Sequence, residues 1–519
     1  MNIWAGKLLG ALSLVILFSI NAPATTYYVN VSNAVPVSPF TNWATAAKTI
    51  QDAIDVAIAG DKVLVTNGLY VTGIRTVTGT TTNIIFSVPP GTQSFKISTN
   101  RVVLDKAITV SSVTGPGSTI IQGSGVFGLN PMRCVVLADG AVLDGFTLTG
   151  GTTQNESGGI PLVTDSGAGA LCETPASILT NCVIDSNSGG EGGGVYGGTL
   201  YNCQVINNSA KYGSGIAYAT ANRCLVKNNG SSAGNAYGGG AYGGILNNCL
   251  VVSNFTGGLF GGGAYIASLN SCTIVSNSAS SIGGVVSCKA TNCIVYFNSG
   301  SYATPNFGED SGLGVGTFSL RMRGCCTTPF PSGFSSGGSI TNLPGFINFS
   351  TGNFHLQTNS PCINAGKDSS GATTTDLDGN PRITGGTVDI GAYEFQTPSS
   401  TLSYAWAQLF GLPVDGSADN TDLDGDQVSN FAEWKSGTIP NDPASVLQLV
   451  SPVFTNSPAG IKVAWQSVSG ITYYLQRSSD LSGGFSNIAS NLVGHIDTTS
   501  YMDTSATSDG QYFYRVGVQ

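Results

Sequence analysis

The chain has 519 residues, 71 of them glycine, and only 9% are charged, against about 25% in ordinary globular proteins. The 41% that are apolar tend to alternate with polar residues, which excludes a disordered chain and suits many short strands joined by tight turns. A net charge of −9 offers no basic surface for phosphate, so nucleic acid is excluded as an expected partner.

Lys7, the apolar run 8–20 and Ala22-Pro23-Ala24 read as a secretory signal cleaved after Ala24. The run is short for a ~20-residue membrane span. No later segment is apolar enough to cross, so the protein is expected to be secreted or at the cell surface, with no span after signal removal. Tyr27-Tyr28-Val29 predicts a first strand. Residues 49–58 predict a helix, because Ile50, Ala53, Ile54, Ala57 and Ile58 share one face, with Thr49 able to cap it and Gly60 to end it. A strand follows at 62–65.

Short strands are predicted at 101–104, 107–110, 119–123 and 141–148, the later ones bounded by glycine. No helix-length period separates them, which points to three strands per turn of a solenoid rather than a βαβ sheet. From 181 to 298 one phrase recurs, Asn-Cys followed by alternating apolar residues and a closing Asn. Its cysteines are Cys182, Cys203, Cys224, Cys249, Cys272 and Cys293. A Gly-rich phrase ending in Tyr196, Tyr218, Tyr242 or Tyr265 lies between them. A repeat in the low twenties with strand-like content is a solenoid period.

The parity within each repeat predicts which side chains point inward. The cysteines, the residues two on (Ile184, Val205, Val226, Val251, Ile274, Val295) and those three before (Leu179, Leu200, Ala221, Leu246, Leu269, Ala290) should stack inside. The cysteines are expected to form a buried, mainly reduced ladder. Cys325, Cys326 and Cys362 lie outside it and are the better disulfide candidates. The closing asparagines, Asn187 to Asn298, are expected to stack in a turn, tolerating left-handed backbone and bonding coil to coil. The tyrosines read as an aromatic ladder in the wall, with a carbohydrate-stacking row as the alternative. Outward positions such as Leu225, Leu250, Val252, Val275 and Ile294 are unusually apolar, so residues 300–345 or a partner should cover that face.

These features, from Thr49-Ile50-Gln51 through the Gly-Gly-Gly-x-Tyr and Asn-Cys repeats, resemble secreted bacterial right-handed parallel β-helix proteins, relatives in fold of pectate lyases. Residues 354–395, with Ser360-Pro361-Cys362, Asp376-Leu377-Asp378-Gly379-Asn380 and Val388-Asp389-Ile390-Gly391, resemble the choice-of-anchor-type domain that closes many bacterial β-helix surface proteins. That resemblance implies extracellular display and no known chemistry. Asp376, Asp378 and Asp389 are either cation ligands or turn-stabilising carboxylates.

Residues 422–433 carry the clearest chemical motif. Asp422, Asp424, Asp426, Val428, Asn430 and Glu433 match positions 1, 3, 5, 7, 9 and 12 of an EF-hand-like loop, which would hold a structural Ca²⁺ with oxygen ligands. Gln427 stands where such loops carry glycine, so the resemblance is to calcium loops of surface-protein linkers. Beyond about residue 446, alternating strands around Trp465 resemble a fibronectin type III-like module.

The expected fold class is all-β: a right-handed parallel β-helix with an N-terminal capping helix, then a small calcium-loop linker and a C-terminal β-sandwich. The expected division is 1–24 signal, 25–345 β-helix, 346–396 closing domain, 397–445 calcium-loop linker and 446–519 sandwich. Two functions compete. One is a non-catalytic surface protein that binds a polysaccharide or cell surface. The other is a polysaccharide lyase or glycoside hydrolase, for which the repeats offer few residues beyond Asp185 and Lys227, while His355 and His495 lie outside them.

Overall fold

The computed structural model describes residues 24–77, 98–155, 164–310, 319–330, 338–367, 374–507 and 510–519. The expected export signal lies outside the described residues except for Ala24. Among the described residues no helix is long and apolar enough to cross a membrane.

Three long sheets form a parallel β-helix. Each coil gives a short strand to the first sheet, one to the second and one to the third, and each strand pairs with its counterpart in the next coil. The first sheet runs from Thr26–Val29 to Arg321–Arg323, the second from Gly68–Tyr70 to Cys326–Thr327. The third begins with an antiparallel edge strand, Arg75–Val77, and ends at Phe307–Gly308. Stacking in register places like residues above one another ~4.8 Å apart. The column Leu143, Leu179, Leu200, Ala221, Leu246, Leu269 and Ala290 lines the interior of the first sheet. Ile184, Val205, Val226, Val251, Ile274 and Val295 do so in the second. Both columns follow the parity of the repeat.

The cysteine ladder stacks inside, and all twelve cysteines are buried and free. Burial, reinforced by neighbouring thiols, pushes Cys203, Cys249 and Cys293 well up, which keeps them protonated and inert. Two expectations change here. Cys325 lies inside the ladder as its seventh rung, in register with Cys293, because an insertion lengthens the preceding coil. Cys326 is its chain neighbour but faces outward, into a second apolar cluster that holds Cys362. Period-two alternation separates the pair, and none of the three is bridged.

The closing asparagines also stack, with a correction to their backbone. The left-handed residues are those just before them: Ser186, Asn207, Asn228, Ser253, Ser276 and Phe297, all with φ of 55–56°. The ladder asparagines turn their amides inward instead. The Nδ2 of Asn187 donates to the Oδ1 of Asn208 at 2.9 Å, and the pattern repeats through Asn229, Asn254, Asn277 and Asn298 to Asn306. Each Oδ1 also accepts the backbone N–H of the preceding rung, as at Asn208 with Asn229. The glycine-rich phrase serves this ladder. A Cβ on Gly240 would lie 2.5 Å from the carbonyl of Gly263 and 3.1 Å from Asn254 Nδ2.

The helix Ile50–Val56 is capped by Thr49, whose hydroxyl accepts from Asp52 N. It buries Ile50, Ala53 and Ile54 and packs against the strands at 26–29 and 98–104. Gln51 reaches the backbone of Val103, accepting its N–H at 2.8 Å and donating to its carbonyl at 3.2 Å, as a paired strand would. Ile58, placed on the helix face by the periodicity, is 63% exposed, because the chain turns extended at Ala57.

The apolar outer face of the second sheet is covered over its lower coils. Leu250, Val252, Val275, Ile294 and Tyr296 pack against Phe346, Phe354, Leu356, Ile363 and Ile390. The covering chain is therefore mainly residues 346–404 rather than 300–345. Polar contacts fix it there: Ala392 N donates to Thr273 Oγ1, Gly391 N to the Asn292 carbonyl, and Asn248 Nδ2 to the Thr375 carbonyl. The chain then forms the short helices Tyr404–Leu409 and Asn430–Ser436. It ends in two three-stranded antiparallel sheets whose strands bury Val463, Trp465, Tyr473 and Leu475.

Candidate functional site

Three polar constellations stand out. The first is the loop 422–433. Its aspartates hold the turn together: Asp422 accepts the N–H groups of Gly425 and Gln427, Asp424 that of Asp426, and Asp426 that of Val428. Gln427 takes a left-handed φ of 75°, so the position that usually needs glycine is reached at a cost of roughly 1–2 kcal/mol. The helix Asn430–Ser436 starts at Ser429, whose Oγ accepts from Ala432 N, and stops at left-handed Gly437. It turns Asn430 and Glu433 inward, both fully buried.

Carboxylate oxygens of Asp422, Asp424 and Asp426 lie within 4.8 Å of one another. Five oxygens of the loop are buried without a hydrogen-bond partner: Asp424 Oδ2, Asp426 Oδ2, Asn430 Oδ1 and both Oε of Glu433. Burial, then Asp424, Asp426 and Asp422, pushes Glu433 up to about 7. Unpartnered hard oxygens in one loop fit a hard divalent cation that takes six to eight oxygens. Of the six residues singled out in the sequence, Val428 shows only its amide engaged, with Asp426.

The second constellation lies in residues 376–394. Asp376 accepts the N–H groups of Asn380 and Glu394, and Asp389 those of Asn364 and Phe395. Glu394 accepts from Thr384 and Asp389 and lies 3.8 Å from Arg382. Burial pushes Asp389 and Glu394 up, against the pull of Arg382 and these donors. Asp376 and Asp389 are turn-stabilising carboxylates. Asp378 pairs instead with His355 Nε2 at 2.7 Å, beside the Tyr393 ring.

The third is the outer face of the third sheet, which the repeat only partly disclosed. Tyr196, Tyr242 and Tyr265 share one outward column, while Tyr218 lies one residue out of register beside Ala217. A second column, Ser166, Glu191, Tyr212 and Tyr237, runs beside it. The six rings pack edge-on or stacked: Tyr212 against Tyr237 at 6.0 Å, Tyr242 against Tyr265 at 5.6 Å, Tyr218 against Tyr242 at 5.4 Å. Tyr212, Tyr218, Tyr237 and Tyr242 stay partly exposed. Carboxylates border them. Tyr265 donates to Asp310 at 2.6 Å. Glu191 is 7% exposed, and its Oε2 has no partner. Burial, then Asp165, pushes Glu191 up to about 8, with Lys211 pulling the other way.

The Asp185 and Lys227 column does not form a site. They are separated by Ile206, and Asp185 is taken by Ser186 and Asn207.

No family model matches the chain, and no curated protein does. Among solved structures it is similar to the pectate lyase Pel9A at 14% identity, covering 72% of this chain and 96% of that one with a TM-score of 0.45. It is also similar to a pectin methylesterase solved with a hexasaccharide, at 12% identity, 62% and 94% coverage and a TM-score of 0.27. A rhamnogalacturonan lyase follows at 16% identity, 58% and 68% coverage and a TM-score of 0.25.

Proposed function

We propose that this is a secreted or surface-displayed β-helix protein that binds polysaccharide on the outer face of its third sheet, without needing to cleave it. The observation that carries this reading is the double row of tyrosines bordered by Asp165, Glu191 and Asp310. Partly exposed rings supply apolar faces for sugar C–H groups, and flanking carboxylates accept sugar hydroxyls. The loop 422–433 holds a structural Ca²⁺ that stiffens the joint between the solenoid and the C-terminal sheets, which act as a fibronectin-like spacer. The test is retention on a panel of insoluble plant and microbial polysaccharides. The wild-type chain should be retained on at least one, and a Tyr212→Ala/Tyr242→Ala variant with unchanged circular dichroism should not. Equal retention of both would sink the assignment of the face.

One observation favours the enzymatic alternative. Glu191 is held protonated near neutral pH beside Asp165, as a general acid paired with a second carboxylate requires. Release of new reducing ends, lost in Glu191→Gln, would establish a hydrolase. Unsaturated products absorbing in the ultraviolet would establish a lyase.

A further inference from the structure

The helix Asn430–Ser436 has two working faces. Asn430, Glu433 and Ser436 point into the protein. Phe431, Trp434 and Lys435 line a separate open cleft of about 320 Å³, closed on its other sides by Thr401, Asp419 and Asn420. That volume is at the lower end of ligand pockets, enough for one or two sugar rings. Phe431 and Trp434 are half-buried with centroids 5.8 Å apart, and the Lys435 ammonium lies 4.5 Å from the Trp434 ring centre. The two rings are tilted 59° to each other and the Lys435 ammonium lies over both, a cation held on aromatic faces that suits a sugar bearing a carboxylate.

Lys435 is the only lysine or arginine between Arg382 and Lys462. The carboxylate on the cleft wall, Asp419, is already occupied by Ser400 and Thr401. Across the short helix, however, lie Asp422, Asp424, Asp426 and Glu433, whose field opposes any anion in the cleft. Asp422, Asp424, Asp426 and Glu433 would hold a divalent cation in the loop, and its charge would offset that field. Phe431 N is bonded to the Asp419 carbonyl and Asn430 N to that of Thr421, so the helix and the cleft wall form one unit.

We infer that this cleft binds an acidic sugar residue, and that the cation in loop 422–433 switches its affinity on. The inference rests on the cation reading of that loop and is independent of the tyrosine face. Calorimetry on the full secreted chain tests it, with Ca²⁺ alone first, then a glucuronic acid trisaccharide, then an uncharged glucose trisaccharide. The acidic trisaccharide should bind at least tenfold more tightly with Ca²⁺ than with chelator, and the uncharged one should not bind. Trp434→Ala should bind Ca²⁺ normally and lose the sugar. Asp424→Asn/Asp426→Asn should lose Ca²⁺ and fall to the chelator affinity. No Ca²⁺ binding in the first titration overturns the cation reading and the switch with it. Ca²⁺ binding with no acidic sugar bound, sugar affinity indifferent to Ca²⁺, or full sugar binding by Trp434→Ala overturns the inference while leaving the cation reading intact.

Discussion

Two acidic clusters follow one another along the chain and end in opposite states. In residues 376–394 the carboxylates of Asp376, Asp389 and Glu394 are met by six backbone N–H groups and by Arg382. In residues 422–433 the aspartates use oxygens to close their own turn, yet five oxygens stay buried and unmatched. Density of Asp and Glu does not tell the two apart. The separation lies in what remains unsatisfied once the backbone has taken its share.

The sharpest way to break this contrast is Asp389→Ala. It strands the buried N–H of Asn364 and the half-buried N–H of Phe395 and deprives the buried Arg382 of a charge partner, so stability should fall by about 3–5 kcal/mol. The loss, read from urea melts, should be the same in Ca²⁺ and in chelator. A loss confined to one of them would mean that the cluster is also a cation site.

Glu191 offers the next largest effect, since it is unmatched like Glu433 but has no ring of aspartates. Its folded-state value of about 8 lies above the ordinary 4.5, so the folded protein holds a proton that the unfolded chain releases. Stability from this group is present below 4.5 and is lost as pH rises toward 8, a change of roughly 4 kcal/mol. Glu191→Gln should flatten that part of the urea-midpoint profile relative to wild type. An unchanged slope would show that Glu191 is ionised in the fold.

Ca²⁺ at a hundredfold excess over its Kd should stabilise the chain by about 2.7 kcal/mol if it binds only the folded state. The shift in melting temperature should vanish in Asp424→Ala/Asp426→Ala and persist in Asp378→Ala. A shift that survives the double variant would place the ion elsewhere. The smallest effect is on the ladder. Asn229→Ala removes the Oδ1 that accepts from Asn208 N and Nδ2 and the Nδ2 that donates to Asn254 and the Val205 carbonyl, and should cost roughly 2 kcal/mol in a chemical melt, independent of Ca²⁺. A neutral outcome would mean that water replaces the amide.

The solenoid was legible because its core repeats. Cys and the residues at −3 and +2 keep one register through six coils, and the inward columns follow from that period alone. Cys325 escapes the period because an insertion lengthens the coil before it, and the next residue, Cys326, belongs to another core. The left-handed turn residues vary among Ser, Asn and Phe, so no single letter marks them, while the asparagines that do recur serve the hydrogen-bond ladder. The covering of the second sheet by residues 346–404 could be anticipated only as a need for cover, since long-range docking has no local period. The loop 422–433 was visible as spacing, but its unmatched oxygens were not. The Glu191 and Tyr212 column lies in the variable stretch between the repeated phrases, where only coil-to-coil pairing brings the residues together.

The asparagine ladder also has a direction. Each amide from Asn187 to Asn298 donates one N–H to the next asparagine and the other back to a carbonyl of the preceding coil, its Oδ1 accepts from the preceding coil, and Asn306 ends the run by donating to the Thr328 carbonyl. Seven amide dipoles are therefore aligned head to tail along the solenoid axis, partially negative at the Asn187 end and partially positive at Asn306. Each polarises the next, so the middle rungs feel two neighbours and the terminal ones a single neighbour. The row acts as a small electret inside an apolar tube, and its strength grows with the number of coils that keep the asparagine.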